Sequence, residues 1–175
     1  MKLPFEYLIL GVLMECPMHG YDIHRSLSSD LSGLWYVGMS SMYGMLKNLE
    51  ADGHVGSTME NGGSRPAKRV FMITENGKRF FREWISRPVN NIRDMRVEFM
   101  AKVYFVKDLG LPGGRELVER QRAVCLSILQ SIDHQASSGS EFSRLLSGFK
   151  TCQIRSIMSW LDECLEFLER SSDNG

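Results

Sequence analysis

Three stretches with helical spacing of apolar residues precede a pair of strand-like segments, and this order limits the folds open to the chain. The helical stretches carry apolar residues three and four positions apart: Phe5, Leu8, Ile9, Val12 and Leu13; then Ile23, Leu27 and Leu31; then Met42, Met45, Leu46 and Leu49. A turn sequence, NGG at residues 61–63, separates a segment that contains Val55 from one at residues 70–73. The pattern predicts three helices followed by a β-hairpin.

A fourth amphipathic helix follows the hairpin and closes the first part of the chain. Thr74 is suited to cap it, and its apolar face is supplied by Phe80, Phe81, Trp84 and Ile85. A polar connector, RPVNNIRD at residues 87–94, comes next, and the later segments have helical periodicity. We therefore predict domains at residues 1–88 and 89–175 and a mostly α fold with a small β-hairpin.

The bulk composition indicates a globular protein. The chain is 43% hydrophobic and 24% charged, and its 21 basic and 21 acidic residues cancel. This neutrality removes the simplest argument for nucleic-acid binding, although a local basic patch is enough near phosphates. No apolar run reaches the ~20 residues of a membrane span, and Glu6 and Glu15 interrupt the apolar start, which is untypical of a signal peptide. We expect a cytoplasmic protein with no membrane partner.

Residue patterns that indicate catalysis or metal binding are missing from the sequence. It contains no GxSxG, HExxH, phosphate-binding glycine loop or dinucleotide fingerprint, and the histidines are dispersed, with His24 expected to face solvent. Four scattered cysteines, Cys16, Cys125, Cys152 and Cys164, form no CxxC pair. We predict no enzymatic activity, no metal, no cofactor and reduced thiols. The alternative is a redox pair of Cys152 and Cys164, which a continuous helix would hold roughly 18 Å apart.

The third helix carries a polar face opposite its apolar stripe. Helices two and three are joined by residues 33–38, a connection typical of a helix-turn-helix, whose second helix enters the DNA major groove. Gly38 and Ser40 or Ser41 provide the start of the third helix. Ser40, Ser41, Tyr43 and Lys47 lie off the apolar stripe, and such side chains can contact bases and phosphates. A solvated outer face is the alternative interpretation.

The hairpin strengthens the DNA-binding interpretation. SRPAKR at residues 64–69 places Arg65, Lys68 and Arg69 next to glycines at the hairpin turn. A basic hairpin after a recognition helix can bind phosphates, as a wing does. A solvated loop would explain the charge but not its position. Together, the two features predict an N-terminal winged helix-turn-helix.

Several segments resemble a known family. LILGVLMECPMHGYDI, MYGMLKNLEADGHV and RVFMITENGKRFFREWI are similar to the winged-helix domain of PadR-type transcriptional regulators. GFKTCQIRSIMSWLDECLEFL is similar to the final helix of the PadR subfamily with a long helical C-terminal domain. The resemblance implies a sequence-specific DNA-binding regulator, a homodimeric repressor on a near-palindromic double-stranded DNA operator, released by a small effector. By position it implies DNA contacts from Tyr21, Ser40, Ser41, Tyr43, Lys47, Arg65, Lys68 and Arg69; for Tyr21, packing on Trp35 or Tyr36 is the alternative.

The C-terminal half has wide apolar helix surfaces for so short a segment. Such surfaces are usually buried against a second subunit, and burial within an intramolecular bundle is the alternative. We therefore expect a C-terminal helical dimerisation domain. Its predicted contacts lie on the last helix, at Ile157, Trp160, Leu161, Cys164, Phe167 and Leu168.

An effector and an alternative function remain as hypotheses. We expect a small aromatic or apolar effector in a cleft near Trp35, the connector and the long C-terminal helices. The alternative function is a winged-helix protein-interaction module without DNA binding. The neutral net charge favours that module, and the clustered wing cations oppose it.

Overall fold

The two halves of the chain form separate compact units. The computed structural model describes residues 5–30, 37–60, 67–136 and 140–170, and the chain divides into Met1–Ile85 and Ser86–Gly175. The predicted boundary followed residue 88. The N-terminal unit is built from α1 (Phe5–Leu13), β1 (Met18–His19), α2 (Gly20–Asp30), α3 (Met39–Ala51), β2 (Val55–Glu60), β3 (Lys68–Ile73) and α4 (Glu75–Ser86), whose last residue belongs to the C-terminal unit.

The core of the N-terminal unit surrounds α1. Residues 8–13 of this helix are all buried, because α1 packs against α2, α3 and β3 at once. The facing side chains are at most 2% exposed and come from each of those elements: Ile23, Met42, Leu46, Leu49 and Phe71. Burial of each such side chain is worth about 1.5–3 kcal/mol. This core fixes α3, the predicted recognition helix, by its apolar stripe.

A three-stranded antiparallel sheet completes the N-terminal unit. The predicted hairpin is present as β2 and β3, and the short strand β1 pairs with the other side of β3. The sequence did not indicate β1, because two residues are too few to show a period. The hairpin turn at residues 61–66 lies outside the described residues. The predicted fold class, mostly α with a small β-hairpin, is confirmed, with one strand more than expected.

Two residues join the end of α3 to the start of α4. Gly53 follows α3 with a φ of 73°, the left-handed conformation in which glycine commonly ends a helix. Thr74 Oγ1 accepts a hydrogen bond from the Gly77 backbone N–H (3.0 Å), which caps α4 as predicted. The same hydroxyl donates to the Gly53 carbonyl at 2.7 Å. These bonds hold the C-terminal end of α3 in place.

The described part of the C-terminal unit is helical. Its elements are α5 (Ile92–Asp94), a π-helical turn (Met95–Phe99), α6 (Met100–Asp108), α7 (Gly114–Ala136) and α8 (Glu141–Glu169). α7 and α8 pack along each other, and α6 packs against both. The core side chains between them are at most 1% exposed: Phe99, Phe105, Val118, Ile154 and Leu161. Among the described residues, no helix combines the length and the apolar composition that a membrane span requires.

The helical segment that begins at Met95 is interrupted near its start. Residues 95–99 form a π turn, and the regular α-helix begins at Met100. Apolar periodicity cannot separate the two, because a single π turn shifts the pattern by only one residue. The chain breaks its helical path before α7, where Gly110 and Gly113 have φ values of 58° and 92°.

Candidate nucleic-acid interface

α3 presents one face to the core and the other to solvent. Met42, Leu46 and Leu49 are at most 2% exposed and attach the helix to α1 and its neighbours. The opposite surface, which we call the α3 face, consists of exposed residues: Ser40, Ser41, Tyr43, Gly44, Lys47 and Asn48. The structure therefore brings the four DNA-contact residues predicted on this helix onto one exposed surface.

The first turn of α3 has no side-chain cap. Gly38 occupies the N-cap position in an extended conformation, and its carbonyl accepts from the Met42 N–H at 3.1 Å. Ser40 and Ser41 lie inside the helix, so of the predicted start residues only Gly38 is the cap. The two hydroxyls stay on the exposed surface, beside N–H groups that have no partner within the helix. This end of α3 is therefore rich in hydrogen-bond donors.

α2 holds α3 at two points that the sequence did not reveal. His24 Nε2 donates to the Val37 carbonyl at 2.8 Å, so it fixes the chain just before α3. The prediction that His24 faces solvent is wrong, because the ring is half-buried by this contact. At the start of α2, a Cβ placed on Gly20 would lie 2.5 Å from the Tyr43 hydroxyl. Glycine at this position leaves room for the tyrosine ring.

Tyr21 lies at the exposed start of α2, with 62% of the residue open to solvent. The preceding residue, Gly20, is the one that Tyr43 contacts, so Tyr43 lies beside the start of α2. Tyr43 is itself 45% exposed. Trp35 and Tyr36, the alternative packing partners of Tyr21, lie outside the described residues.

The three predicted wing cations occupy different environments. Lys68 is exposed at the first residue of β3. Arg69 follows it in the strand and turns its guanidinium back toward α3. Arg65 lies outside the described residues. The wing therefore presents Lys68 to solvent, while Arg69 is engaged within the N-terminal unit.

Arg69 belongs to a polar network that connects the wing with the last turn of α3. Its Nη2 donates to both carboxylate oxygens of Glu50, at 2.8 and 2.6 Å, and its Nε donates to Ser57 Oγ at 2.8 Å. Ser57 Oγ donates to Glu50 at 2.6 Å, and the guanidinium lies 5.1 Å from the centre of the Phe71 ring. The hydrogen bond from Ser57 holds the pKa of the Glu50 carboxyl below its ordinary value, with a further contribution from Arg69. No sequence pattern indicated the pairing of Arg69 with Glu50, because the two residues are 19 positions apart in the chain.

The structure separates the six residues predicted for dimerisation. Leu161 and Cys164 are 0% and 3% exposed within their own unit, so they belong to its core rather than to a free surface. The partly exposed members are Ile157, Trp160 and Leu168. Phe167 is 44% exposed, and its ring centre lies 3.3 Å from Lys107 Nζ. Leu161 and Cys164 are therefore corrected to core residues, because α8 turns that side toward α6 and α7.

A different set of apolar residues is exposed on α8. Near the start of the helix, four side chains at helical spacing are 42–72% exposed, and we call them the α8 stripe: Phe142, Leu145, Leu146 and Phe149. The helical spacing of these four residues was visible in the sequence, but they were not among the residues predicted for dimerisation. A stripe of this size on one helix is typical of a surface that another chain covers.

The start of the C-terminal unit borders an open cleft. It has a volume of about 650 Å³ and lies between the connector and the helices α7 and α8. Its walls include apolar and polar side chains: Asn91, Arg93, Ile128, Ile132, Phe149 and Gln153. Trp35, which was predicted near the effector site, lies outside the described residues.

The four thiols divide into two exposed and two buried groups. Cys16 and Cys152 are exposed, whereas Cys125 and Cys164 are buried. Burial raises the pKa of the Cys164 thiol to about 12, with a smaller effect from the nearby Glu163 carboxylate. Because α8 is continuous from Glu141 to Glu169, Cys152 and Cys164 lie roughly 18 Å apart along its axis. They cannot form a bond within one chain.

An exposed third helix followed by a β-hairpin and a fourth helix defines a winged helix-turn-helix protein. Residues 9–83 match the model of the transcriptional regulator PadR-like family, and this match runs from the middle of α1 through most of α4. Residues 9–83 therefore form a domain of the PadR-like family of transcriptional regulators, as the sequence resemblance predicted. The proteins that match this domain are transcriptional regulators, which supports the prediction of a regulator without enzymatic activity.

Individual relatives show how far the similarity extends. The chain is 27% identical over 177 aligned positions to the negative transcriptional regulator PadR of Bacillus subtilis, covering 94% of this chain and 97% of the relative. A probable transcriptional regulator of Mycobacterium tuberculosis is 28% identical over 96 positions, covering 55% of this chain and 50% of the relative. The crystal structure of Bacillus subtilis PadR in complex with operator DNA superposes with a TM-score of 0.50 and 24% identity, over 96% of this chain and 98% of that one. This structural likeness supports the fold.

Proposed function

We propose that the protein is a homodimeric transcriptional repressor that binds a specific double-stranded DNA operator. The α3 face carries this proposal: its serines, tyrosine and lysine are exposed opposite a stripe that fixes the helix to the core. The Bacillus subtilis relative is a negative transcriptional regulator, and its crystal structure contains operator DNA; both observations support the same function.

The α3 face supplies both kinds of DNA contact. Ser40, Ser41 and Tyr43 contact base edges in the major groove, where hydroxyls can donate or accept. Lys47 contacts the phosphate backbone, and Tyr21 adds a contact from the start of α2. The exposed donors at the first turn of α3 favour an anion there, which fits a phosphate. Base contacts and phosphate contacts therefore come from α2 and α3 together.

The wing adds affinity that does not depend on base sequence. Lys68 and Arg65 contact phosphates beside the site occupied by α3. Arg69, which was predicted to do the same, instead holds the wing against the end of α3 through Glu50. The wing cations are thus divided between binding DNA and orienting the wing.

Residues 1–88 form the DNA-binding domain, and residues 89–175 form the domain for dimerisation and effector binding. The α8 stripe, together with the partly exposed Ile157, Trp160, Phe167 and Leu168, packs against a second subunit. Burying four large apolar side chains from each copy would contribute several kcal/mol, at about 25 cal/mol per Å². A two-fold dimer presents two α3 helices to successive major grooves, which favours a near-palindromic operator.

A small aromatic or apolar effector binds the cleft between the connector, α7 and α8. Apolar side chains from both long helices line this cleft, at Ile128, Ile132 and Phe149, and the connector adds polar groups. Such a mixture is typical of small-molecule sites. The effector releases the repressor only if it binds the DNA-free arrangement more tightly than the bound one.

A mobility-shift titration tests DNA binding directly. We expect the protein to shift DNA from around its own gene at low salt, and the shift to weaken as salt rises. Lys47→Ala and Lys68→Ala should each weaken the complex. Absence of a shift at low salt with every such fragment, with both variants behaving like wild type, would contradict DNA binding and favour the protein-interaction alternative.

A further inference from the structure

The first residues of the C-terminal unit are held at their main chain by three side chains from helices of the same unit. We call this arrangement the connector clasp, formed by Lys102, Arg120 and Gln121 on the backbone of Ser86, Arg87 and Val89. Arg120 Nη1 donates to the Ser86 carbonyl at 3.2 Å, and Lys102 Nζ donates to the Arg87 carbonyl at 2.7 Å. Gln121 accepts from the Val89 N–H at 2.6 Å and donates to the Val89 carbonyl at 2.8 Å.

Burial distinguishes the clasp from ordinary surface hydrogen bonds. Among the described residues, two polar or charged side chains are buried, Lys102 and Gln121, and each is 1% exposed. Both bond to the connector. A buried amide or ammonium is tolerated where it is hydrogen-bonded, and the second partner of Lys102 is the Glu98 carboxylate, 2.9 Å away. The two buried polar side chains of the described residues thus both hydrogen-bond to the backbone of the connector.

The clasp acts on the segment that leaves the DNA-binding unit. α4 ends at Ser86, and its last carbonyl is the one bound by Arg120. Five residues then lead to α5 at Ile92, and the clasp binds the backbone of Arg87 and Val89 within this stretch. The connector is therefore fixed to α6 and α7 rather than acting as a free linker.

We infer that Gln121 and Lys102 are positioning residues that hold the connector rigid, so that the two DNA-binding units of a dimer engage both halves of an operator together. This inference rests on the proposed function. When two modules are joined, the second binding step depends on an effective concentration, which a rigid link of suitable geometry raises and a loose link lowers. The clasp therefore affects binding to a two-half operator much more than binding to one half-site.

The experiment compares full-site and half-site DNA. The probe is a duplex that wild-type protein selects from a random-sequence pool, and the half-site probe has one arm of that duplex replaced. We expect wild type to prefer the full site by at least about a hundredfold. In Gln121→Met the ratio of full-site to half-site affinity should fall by about tenfold or more, while the half-site Kd changes less than about twofold.

Three further variants separate positioning from general stability. Ile154→Ala removes a fully buried side chain on α8 that does not bond to the connector, so it should lower the Tm but keep the wild-type ratio. Arg120→Ala changes an exposed residue, so it should fold, and it should lower the ratio in the same direction as Gln121→Met. Lys102→Met should also lower the ratio of full-site to half-site affinity. Sedimentation should show that each variant still dimerises.

The outcomes are distinct. A full-site to half-site ratio that stays at the wild-type value in Gln121→Met and Arg120→Ala overturns the clasp inference and leaves DNA binding intact. A loss of ratio in Ile154→Ala equal to that in Gln121→Met also overturns it, because the effect would then follow stability. Failure of wild type to select any duplex overturns the proposed function, and the clasp inference with it.

Discussion

Nη2 of Arg69 lies 2.6 Å from one carboxylate oxygen of Glu50 and 2.8 Å from the other, which connects the wing to the last turn of α3. A guanidinium in this position is already neutralised by a carboxylate, so it has little charge to offer a phosphate. Lys68, the preceding residue in the chain, is exposed to solvent, so its charge is available to a phosphate. Adjacent basic residues in the sequence thus have different roles in the fold.

Salt dependence distinguishes the two wing cations. Lys68→Ala should reduce the slope of log Kd against log salt by about one, because one phosphate contact is lost. Arg69→Ala should leave the slope nearly unchanged. Fluorescence-anisotropy titrations at four salt concentrations measure both. A slope that falls by about one in Arg69→Ala as well would show that this arginine contacts DNA despite its pairing with Glu50.

The Glu50 carboxylate makes the stability of the N-terminal unit pH-dependent. Its pKa is lowered in the folded protein by Ser57 and Arg69, so its contribution is present above the unfolded pKa near 4.3 and is lost as the pH falls through the folded value. The free energy of unfolding of wild type should exceed that of Glu50→Gln by at most about 1 kcal/mol at pH 7, since the pair is partly exposed. The difference should shrink between pH 5 and pH 3 in urea titrations. A difference that is constant over this pH range would rule out the ionised carboxylate as its source.

Gly44 tests how closely α3 approaches DNA. A Cβ placed on Gly44 meets no other atom within 4 Å, so Gly44→Ala should raise stability by up to about 1 kcal/mol through helix propensity. We expect the same variant to bind operator DNA more weakly, because the added methyl group lies on the α3 face. Gly148→Ala is a matched control, since that exposed helical glycine on α8 also has open space around it. It should gain similar stability and keep DNA affinity; unchanged affinity in Gly44→Ala would mean that the glycine is incidental.

If the α8 stripe forms the dimer contact, variants that remove its apolar side chains should be monomeric. Phe142→Ser combined with Phe149→Ser should shift the protein from dimer to monomer in analytical ultracentrifugation, while the far-ultraviolet circular dichroism stays helical. Met59→Ser is the control, because it removes a 62% exposed apolar residue from the wing strand β2 instead. A double variant that remains dimeric would exclude the stripe as the main contact.

Thiol reactivity reports the burial of the C-terminal core. Cys16 and Cys152 are exposed, while Cys125 and Cys164 are buried, so a chromogenic disulfide reagent should react quickly with two thiols of the monomer and with all four after unfolding. Burial raises the pKa of Cys125 as well as that of Cys164, and protonated thiols are poor nucleophiles. Dimerisation could protect Cys152 further, so the measurement belongs with the monomeric double variant. Rapid reaction of Cys164 in that folded variant would show that α8 does not pack as described.

Local sequence signals anticipated the elements that depend on short-range chemistry. The apolar period of α3 and the Thr74 cap are each properties of a few neighbouring residues. The wing hairpin was indicated in the same way by its turn sequence. The family resemblance then joined these elements into a winged helix-turn-helix.

Long-range pairing was what the sequence could not show. Glu50 and Arg69 are 19 residues apart, and Gln121 and Val89 are 32 apart, so no periodicity links them. Leu161 was predicted at a dimer surface but is buried within its own unit, for a related reason. Apolar spacing identifies a face of a helix, but only the packed neighbours decide whether that face is covered within the chain.

The central claim is that the α3 face distinguishes DNA sequences, and discrimination between two duplexes tests it most directly. The measurement compares the affinity of wild type and Ser41→Ala for a duplex selected from a random pool and for a scrambled duplex of equal composition, at one salt concentration. The account predicts that wild type prefers the selected duplex by at least about a thousandfold. Ser41→Ala should lose roughly 1–3 kcal/mol on that duplex alone. The claim would be contradicted if wild type bound both duplexes with equal affinity, or if Ser41→Ala lost the same binding free energy on both duplexes.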